Sequence, residues 1–168
     1  MDNQIIATVL AATERKRIVG RIRFQKVFYL LEQLGLDSGL KFSYHHYGPY
    51  SEELSKSVQS ACVVDKILKE QVDYTVYGNP FSTYILENGT EQTITAKIPP
   101  EKMARSLAEM LKLSSVQIEL AATIHWIATK ENFQDWRSEL VARKAGKATD
   151  ANVSRALCLL DKLGLSVS

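Results

Sequence analysis

Hydrophobic positions recur at helical spacing over most of the chain. Apolar residues repeat every three or four positions in residues 2–12, 21–34, 51–62, 101–111, 114–130, 133–144 and 149–163. Each repeat predicts a helix with one apolar face. Gly35 follows the second helix, where a left-handed cap is favoured, and Ser51 with two glutamates after it is a good start for the third.

The pattern changes between the third and fourth helices. The runs VDYTVYG and FSTYILENG are rich in β-branched and aromatic residues and flank the turn sequence Gly78-Asn79-Pro80, which predicts a β-hairpin. The run EQTITAKI is interpreted as a third strand that ends before Pro99-Pro100.

This order of elements predicts a fold class. Three helices followed by a hairpin are the elements of a winged helix, with the third helix in the recognition position. We therefore predict a mainly α (α+β) protein. Residues 1–98 would form a winged-helix-like core with a small β-hairpin, and residues 99–168 a helical C-terminal bundle packed on it as one compact unit.

The segment FSYHHYGPY, Phe42 to Tyr50, concentrates candidate chemistry, with three tyrosines and two of the three histidines of the chain. His45 and His46 are neighbours, so in an extended segment they point to opposite faces and are poorly placed to share a metal ion. His125 lies in an apolar helix beside Trp126, where a core or interface histidine is expected. Together with the absence of catalytic and phosphate-binding motifs, this predicts no metal, no cofactor and no enzymatic activity.

The remaining interpretation of this segment is a tight turn whose side chains recognise a partner. Gly48-Pro49 predicts a tight turn ahead of the third helix. We expect Tyr47 to be largely packed, and His45, His46 and Tyr50 to offer accessible polar tips to a protein partner.

The charge of the chain is only +2, but it is uneven. Residues 14–26 hold six basic residues and one acid, giving +5: Arg15, Lys16, Arg17, Arg21, Arg23 and Lys26. Such a cluster indicates an anionic partner, either an acidic protein face or nucleic acid. We assign Arg23 and Lys26 to a protein partner and Arg15, Lys16, Arg17 and Arg21 to the alternative, nucleic acid. The predicted wing, VDYTVYGNPFSTYILENG, has no lysine or arginine, which weakens the DNA-binding alternative.

Composition favours a globular protein of the cytoplasm. No apolar run has the length of a membrane span, and neither cysteine stands in a CxxC motif, so both are interpreted as buried thiols of a reducing compartment.

The pair of segments GRIRFQKVFYLLEQLG and FSYHHYGPYSEELSKSV resembles the Panacea family, also called SocA-like, and most closely its YwgA-like bacterial members. The resemblance is carried by Arg23, Gln25, Lys26, Tyr29, Leu30, Tyr47, Gly48, Pro49 and Leu54. It implies that Gln25, Tyr29, Tyr47, Gly48 and Pro49 form a structural motif.

The resemblance also implies a function. It predicts a non-enzymatic protein-binding module: an antitoxin-like protein or regulatory adaptor of a mobile element or of a bacterial stress or defence system. Its partner would be a toxin or a regulated protein. The alternative is a winged-helix DNA-binding transcriptional regulator. The oligomeric state stays open, a homodimer included.

Overall fold

The structure is a computed structural model, and it describes residues 2–88 and 96–168. Within these residues it is a mixed α/β protein with seven α-helices and two small antiparallel sheets. The helices are α1 (Gln4–Ala11), α2 (Arg21–Gln33), α3 (Glu52–Val63), α4 (Pro100–Leu111), α5 (Ser115–His125), α6 (Trp136–Lys144) and α7 (Asp150–Leu163). The strands are β1 (Arg17–Val19), β2 (Ser43–His45), β3 (Gly48–Tyr50), β4 (Leu68–Tyr74) and β5 (Pro80–Leu86).

Local signals mark several of the helix ends. Ser51 caps α3 through a hydrogen bond that its hydroxyl accepts from the Leu54 amide, at 3.3 Å. Gly35 has a φ of +95°, and the following amide of Leu36 donates to the carbonyl of Leu31, which closes the end of α2. The predicted helix over residues 114–130 is α-helical only to His125 and then widens into a π-helical turn, Trp126–Lys130.

The two sheets are only partly as predicted. The hairpin of β4 and β5 is present, and its first strand starts at Leu68, earlier than expected. β1, which the sequence did not reveal, pairs with β5, so the three-stranded sheet has the order β1-β5-β4. The predicted strand over EQTITAKI falls mainly on residues 91–95, outside the described residues, and residues 96–98 are not a strand.

One hydrophobic core runs through the described chain. It contains buried residues of α1, α2 and α3 together with those of α4, α5 and α7. Helix α2 packs against α5 and α4, so the central helix of the N-terminal part lies against the C-terminal helices. The boundary at residues 98 and 99 stays a prediction.

Candidate protein-binding site around the Tyr-Gly-Pro hairpin

The segment singled out in the sequence forms a hairpin of two three-residue strands. β2 and β3 pair antiparallel, with Ser43 opposite Tyr50 and His45 opposite Gly48, which leaves His46 and Tyr47 as the turn. The sequence predicted one extended piece with a turn at Gly48-Pro49, whereas these two residues belong to the second strand. A ladder this short is not stable by itself, so its shape depends on the elements around it.

Gly48 lets the hairpin approach α5 closely. Its φ is +82°, a conformation that residues with a side chain rarely adopt. A Cβ atom at this position would lie 2.5 Å from the Oγ1 atom of Thr123. Both the backbone conformation and the contact therefore require glycine.

Lys26 fixes the hairpin from α2. The side chain is only 1% exposed, and its Nζ atom donates to the carbonyl oxygen of Pro49 at 2.6 Å. Burial lowers the pKa of Lys26 to about 8. The prediction that Lys26 presents its charge to a partner is therefore corrected, because the ammonium lies inside and holds the motif together.

The turn is held from α6 as well. Lys144 donates to the carbonyl of His46, and its Nζ atom lies 2.8 Å from the buried carboxylate of Glu119. Lys147 reaches the other oxygen of Glu119 at 2.7 Å. The sequence gave no sign of these partners, because Lys144 and His46 are 98 residues apart.

Gln25 joins the hairpin to the start of α3. Its amide group donates to the carbonyl of Ser51 at 2.9 Å and accepts from the amide of Ser51 at 2.9 Å. It also donates to the hydroxyl of Ser55, which in turn accepts from the hydroxyl of Tyr50. The side chain of Gln25 thus fixes the exit of β3 and the capping residue of the next helix.

Tyr29 lies in the core beneath the hairpin. Its hydroxyl is 2.8 Å from Nδ1 of His125, and the two rings meet edge to face. Burial lowers the pKa of His125 to about 4 and raises the pKa of Tyr29. The expectation of a core histidine at position 125 is confirmed by its burial.

The outer face of the hairpin is aromatic. The ring of His45 lies 4.8 Å from that of Tyr50, and the ring of His46 lies 4.8 Å from that of Tyr47. The ammonium of Lys147 is 4.9 Å from the centre of the Tyr47 ring. Tyr47 is 46% exposed, so the prediction that it is largely packed is wrong. The position of Tyr47 in the turn directs its ring outward over Lys144 and Lys147.

A groove of about 670 Å³ opens beside this face. It runs between α2, α3 and the hairpin of β4 and β5, and its walls include Phe24, Val58 and Cys62. Tyr47 and Tyr50 line it at the hairpin end. The aromatic face and the groove therefore form one continuous surface.

The basic residues of the N-terminal region do not form one cluster. Arg15, Lys16 and Arg17 are exposed around the start of β1. Arg21 pairs with Glu70 at 3.1 Å. Arg23 is half-buried and donates to the carbonyls of Val19 and Leu113, so its charge faces the body of the protein instead of the predicted partner.

Within the described residues, no group of three or more histidine, cysteine or acidic side chains could hold a metal ion. No helix among them is both long and apolar enough to cross a bilayer. Cys158 is exposed, which corrects its interpretation as a buried thiol, and Cys62 is half-buried at the groove.

Two proteins of known name are similar to this chain. The uncharacterized protein YwgA of Bacillus subtilis is 24% identical over 149 residues, which cover 87% of each chain. The DNA ADP-ribosyl glycohydrolase of Thermus aquaticus is 27% identical over 130 residues, which cover 71% of this chain but 33% of that protein. The chain thus spans about a third of the length of the second relative. No protein-family model matches the chain.

Proposed function

We propose that the protein is a non-enzymatic protein-binding module, an antitoxin-like protein or regulatory adaptor whose partner docks on the Tyr-Gly-Pro hairpin and the groove beside it. The observation that carries this proposal is the contrast between the two sides of the hairpin. Its inner side is fixed by Lys26, Lys144 and Gln25, and its outer side presents His45, His46 and Tyr47, with the half-buried ring of Tyr50 beside them. The prediction of an accessible polar tip at Tyr50 is corrected, because its hydroxyl donates to Ser55.

A fixed aromatic surface suits recognition for a physical reason. Side chains held in place before binding lose little conformational entropy when a partner docks. Tyrosine and histidine combine an apolar body with a polar tip, which is the chemistry found in the central contacts of many interfaces. The adjoining groove can take an apolar side chain of the partner against Val58 and Phe24.

The two similar proteins differ in how much of their length this chain matches, which supports the proposal that the chain is a module. A matching unit accounts for most of YwgA and for a third of the Thermus aquaticus protein. The latter is named for an activity on DNA, but the matched segment is the smaller part of it, so we do not extend that activity to this chain. The antitoxin-like role comes from the resemblance of the hairpin motif to the Panacea family.

The arrangement of the N-terminal elements supports a winged-helix-like core. Apart from the short hairpin of β2 and β3 between α2 and α3, the order α1-β1-α2-α3-β4-β5 and the sheet order β1-β5-β4 suit that architecture, with α3 as the recognition helix. Two glutamates open α3, so its first turn is acidic and poorly suited to a phosphate backbone. We therefore propose that this architecture serves protein recognition.

Site-specific photocrosslinking tests the proposal. A benzophenone amino acid replaces Tyr47 on the hairpin or, as the matched control, the exposed Val141 on α6. In cells of the source organism, position 47 should give one discrete protein adduct that position 141 does not give. Replacing both His45 and His46 by glutamine should lower the yield at most several-fold, since each is a peripheral contact. No adduct at position 47, or the same adducts at both positions, would contradict the proposal.

One observation favours the alternative, a DNA-binding regulator. Arg15, Lys16 and Arg17 are exposed together at one end of the three-stranded sheet. If they contact DNA, duplex DNA should bind strongly at low salt and lose affinity steeply as salt rises, and Arg15→Glu with Arg17→Glu should abolish that binding. Weak binding at low salt would count against the alternative.

A further inference from the structure

The outer edge of β4 and its two ends carry exposed apolar side chains, of which only Val63 also lines the groove of the proposed site. β4 is the last strand of the three-stranded sheet, and no strand of the described residues pairs with its outer edge. Six of the nine exposed large hydrophobic residues described lie along this edge and at its two ends: Val63, Val64, Val72, Tyr74, Val76 and Tyr77. Val76 and Tyr77, in the turn after β4, are 95% and 88% exposed.

The backbone of β4 is ready to pair on this edge. The amide of Thr75 donates to Asn79 and the carbonyl of Ile67 accepts from Glu87, so the odd-numbered residues from 67 to 75 direct their polar groups toward β5. By the alternation of an antiparallel ladder, the even-numbered residues Leu68, Glu70, Val72 and Tyr74 direct theirs outward. An unpaired row of this kind is a template for another strand.

We propose that two copies of this protein associate through antiparallel pairing of their β4 strands, about a twofold axis that passes between the two Gln71 residues. This inference goes beyond the proposed function, and its surface shares only Val63 and Glu70 with the lining of the groove. The sequence of β4, LKEQVDY, is self-complementary in that register. Lys69 lies opposite Asp73 of the second copy, and the symmetry repeats this ion pair on the other side.

The backbone pattern agrees with this register. Glu70 would face Val72, and Leu68 would face Tyr74, and all four are residues whose polar groups point outward. Gln71 faces Gln71 of the second copy, and Lys69 faces Asp73 of the second copy. Both are pairs without mutual hydrogen bonds, in which the side chains come closest. Shifting the axis to Glu70 would bring two carboxylates together, a repulsive arrangement.

The same pairing covers the apolar ends of the edge. Continuing the register past Tyr74 places Val76 and Tyr77 of one copy beside Lys66 and Asp65 of the other. These two residues follow Val63 and Val64 at the end of α3, both of which are exposed. One symmetric contact would therefore place Val76 and Tyr77 of each copy near the end of α3 of the other, and the charges of Lys69 and Asp73 would select this register over others.

A charge exchange tests the pairing. Sedimentation equilibrium of the wild-type protein should show a dimer. Lys69→Asp or Asp73→Lys alone places two like-charge contacts in each dimer and should weaken it about tenfold or more. The double variant Lys69→Asp/Asp73→Lys restores both ion pairs and should recover the dimer. A monomeric wild-type protein at the highest soluble concentration, or a double variant as weak as the single ones, would overturn the proposal.

A cysteine placed on the axis tests the register itself. Gln71→Cys, in a chain with Cys62→Ala and Cys158→Ser, should form an intermolecular disulfide under mild oxidation, since facing residues at such positions lie about 4.5 Å apart between Cα atoms. Lys69→Cys in the same chain is the control. Its two copies would be offset by four residues, roughly 13 Å along the strand, and should not crosslink. Equal crosslinking of both variants, or none at position 71, would overturn the register.

Discussion

The protein contains two β-hairpins that differ in what holds them. The hairpin of β2 and β3 has three-residue strands, yet buried side chains of α2 and α6 donate to its carbonyls. The hairpin of β4 and β5 has seven-residue strands, and its tip, around Val76 and Tyr77, extends into solvent. Both have a glycine in or beside the turn with nearly the same φ, +82° for Gly48 at the start of β3 and +80° for Gly78 between β4 and β5. Ladder length therefore does not decide which hairpin is rigid here; the surrounding side chains do.

The short hairpin is anchored by charge taken out of water. The buried carboxylate of Glu119 forms ion pairs with Lys144 and Lys147, and its charge partly offsets the lowering of the Lys26 pKa by burial. Such a cluster tolerates little change, because removing one member leaves another without its partner. The long hairpin has no equivalent cluster in the described residues, and Glu70 and Tyr84 tie it to α2 by accepting hydrogen bonds from Arg21.

Reversing the charge at Lys26 should have the largest effect. Lys26→Glu places a carboxylate beside Glu119 and removes the donor to Pro49, and it should destabilise the protein by about 4 kcal/mol or prevent folding. Lys69→Glu, the matched change on the exposed strand, should cost at most about 0.5 kcal/mol in dilute solution. Urea unfolding measures both. Similar stabilities for the two variants would show that Lys26 does not anchor the hairpin.

Replacing Gly48 or Gly78 by alanine separates the cost of a steric contact from the cost of the left-handed backbone conformation. Gly48→Ala should cost about 3 kcal/mol, because the left-handed backbone is strained and the new methyl group meets Thr123. Gly78→Ala has the same backbone strain with no atom within 4 Å, and it should cost about 1 kcal/mol. Chemical denaturation of the two variants gives the difference. Equal losses would mean that α5 moves away from the hairpin freely.

The core under the short hairpin should also be sensitive to acid. The pKa of His125 is about 4 in the folded protein, below the usual value of 6.5, so between these values the unfolded chain binds a proton that the folded chain does not. The contribution of His125 to stability is therefore complete above pH 6.5 and falls as the pH drops toward 4, by about 3 kcal/mol.

The variant His125→Gln keeps a hydrogen-bonding group near Tyr29 but does not titrate. Its stability should fall less steeply between pH 6.5 and 4 than that of the wild type in the same thermal or urea unfolding series. If the stability of the variant falls with pH as steeply as that of the wild type, His125 is not the cause of the acid sensitivity.

The smallest effect is expected for the exposed tyrosines. Tyr47→Ala should cost about 1 kcal/mol, because half of the ring packs over Lys147 and His46. Tyr77→Ala, at the tip of the long hairpin, should change the stability of the monomer by less than about 0.5 kcal/mol. A loss of about 3 kcal/mol at Tyr47 would instead show that it is packed as a core residue.

Local sequence signals located most elements of this protein. The apolar stripe of α2, the cap at Ser51 and the turn glycines act within a few residues of the structures they specify, so they can be recognised in the sequence. The burial of Lys26 also had a local signal that the prediction did not use. It lies four residues from both Ile22 and Leu30, on the apolar side of α2.

Only the tertiary structure decided the rest. The pairing of β1 with β5, the clamp from Lys144 to His46 and the outward position of Tyr47 join residues that are distant in the chain. No periodicity encodes such partners, because a side chain at position 144 has the same local pattern whether it points to solvent or to a carbonyl at position 46. The sequence determined the helices and the long hairpin, because their signals are local. The packing of α2, α5 and α6 around the short hairpin determined which of its residues are anchors and which lie at the surface.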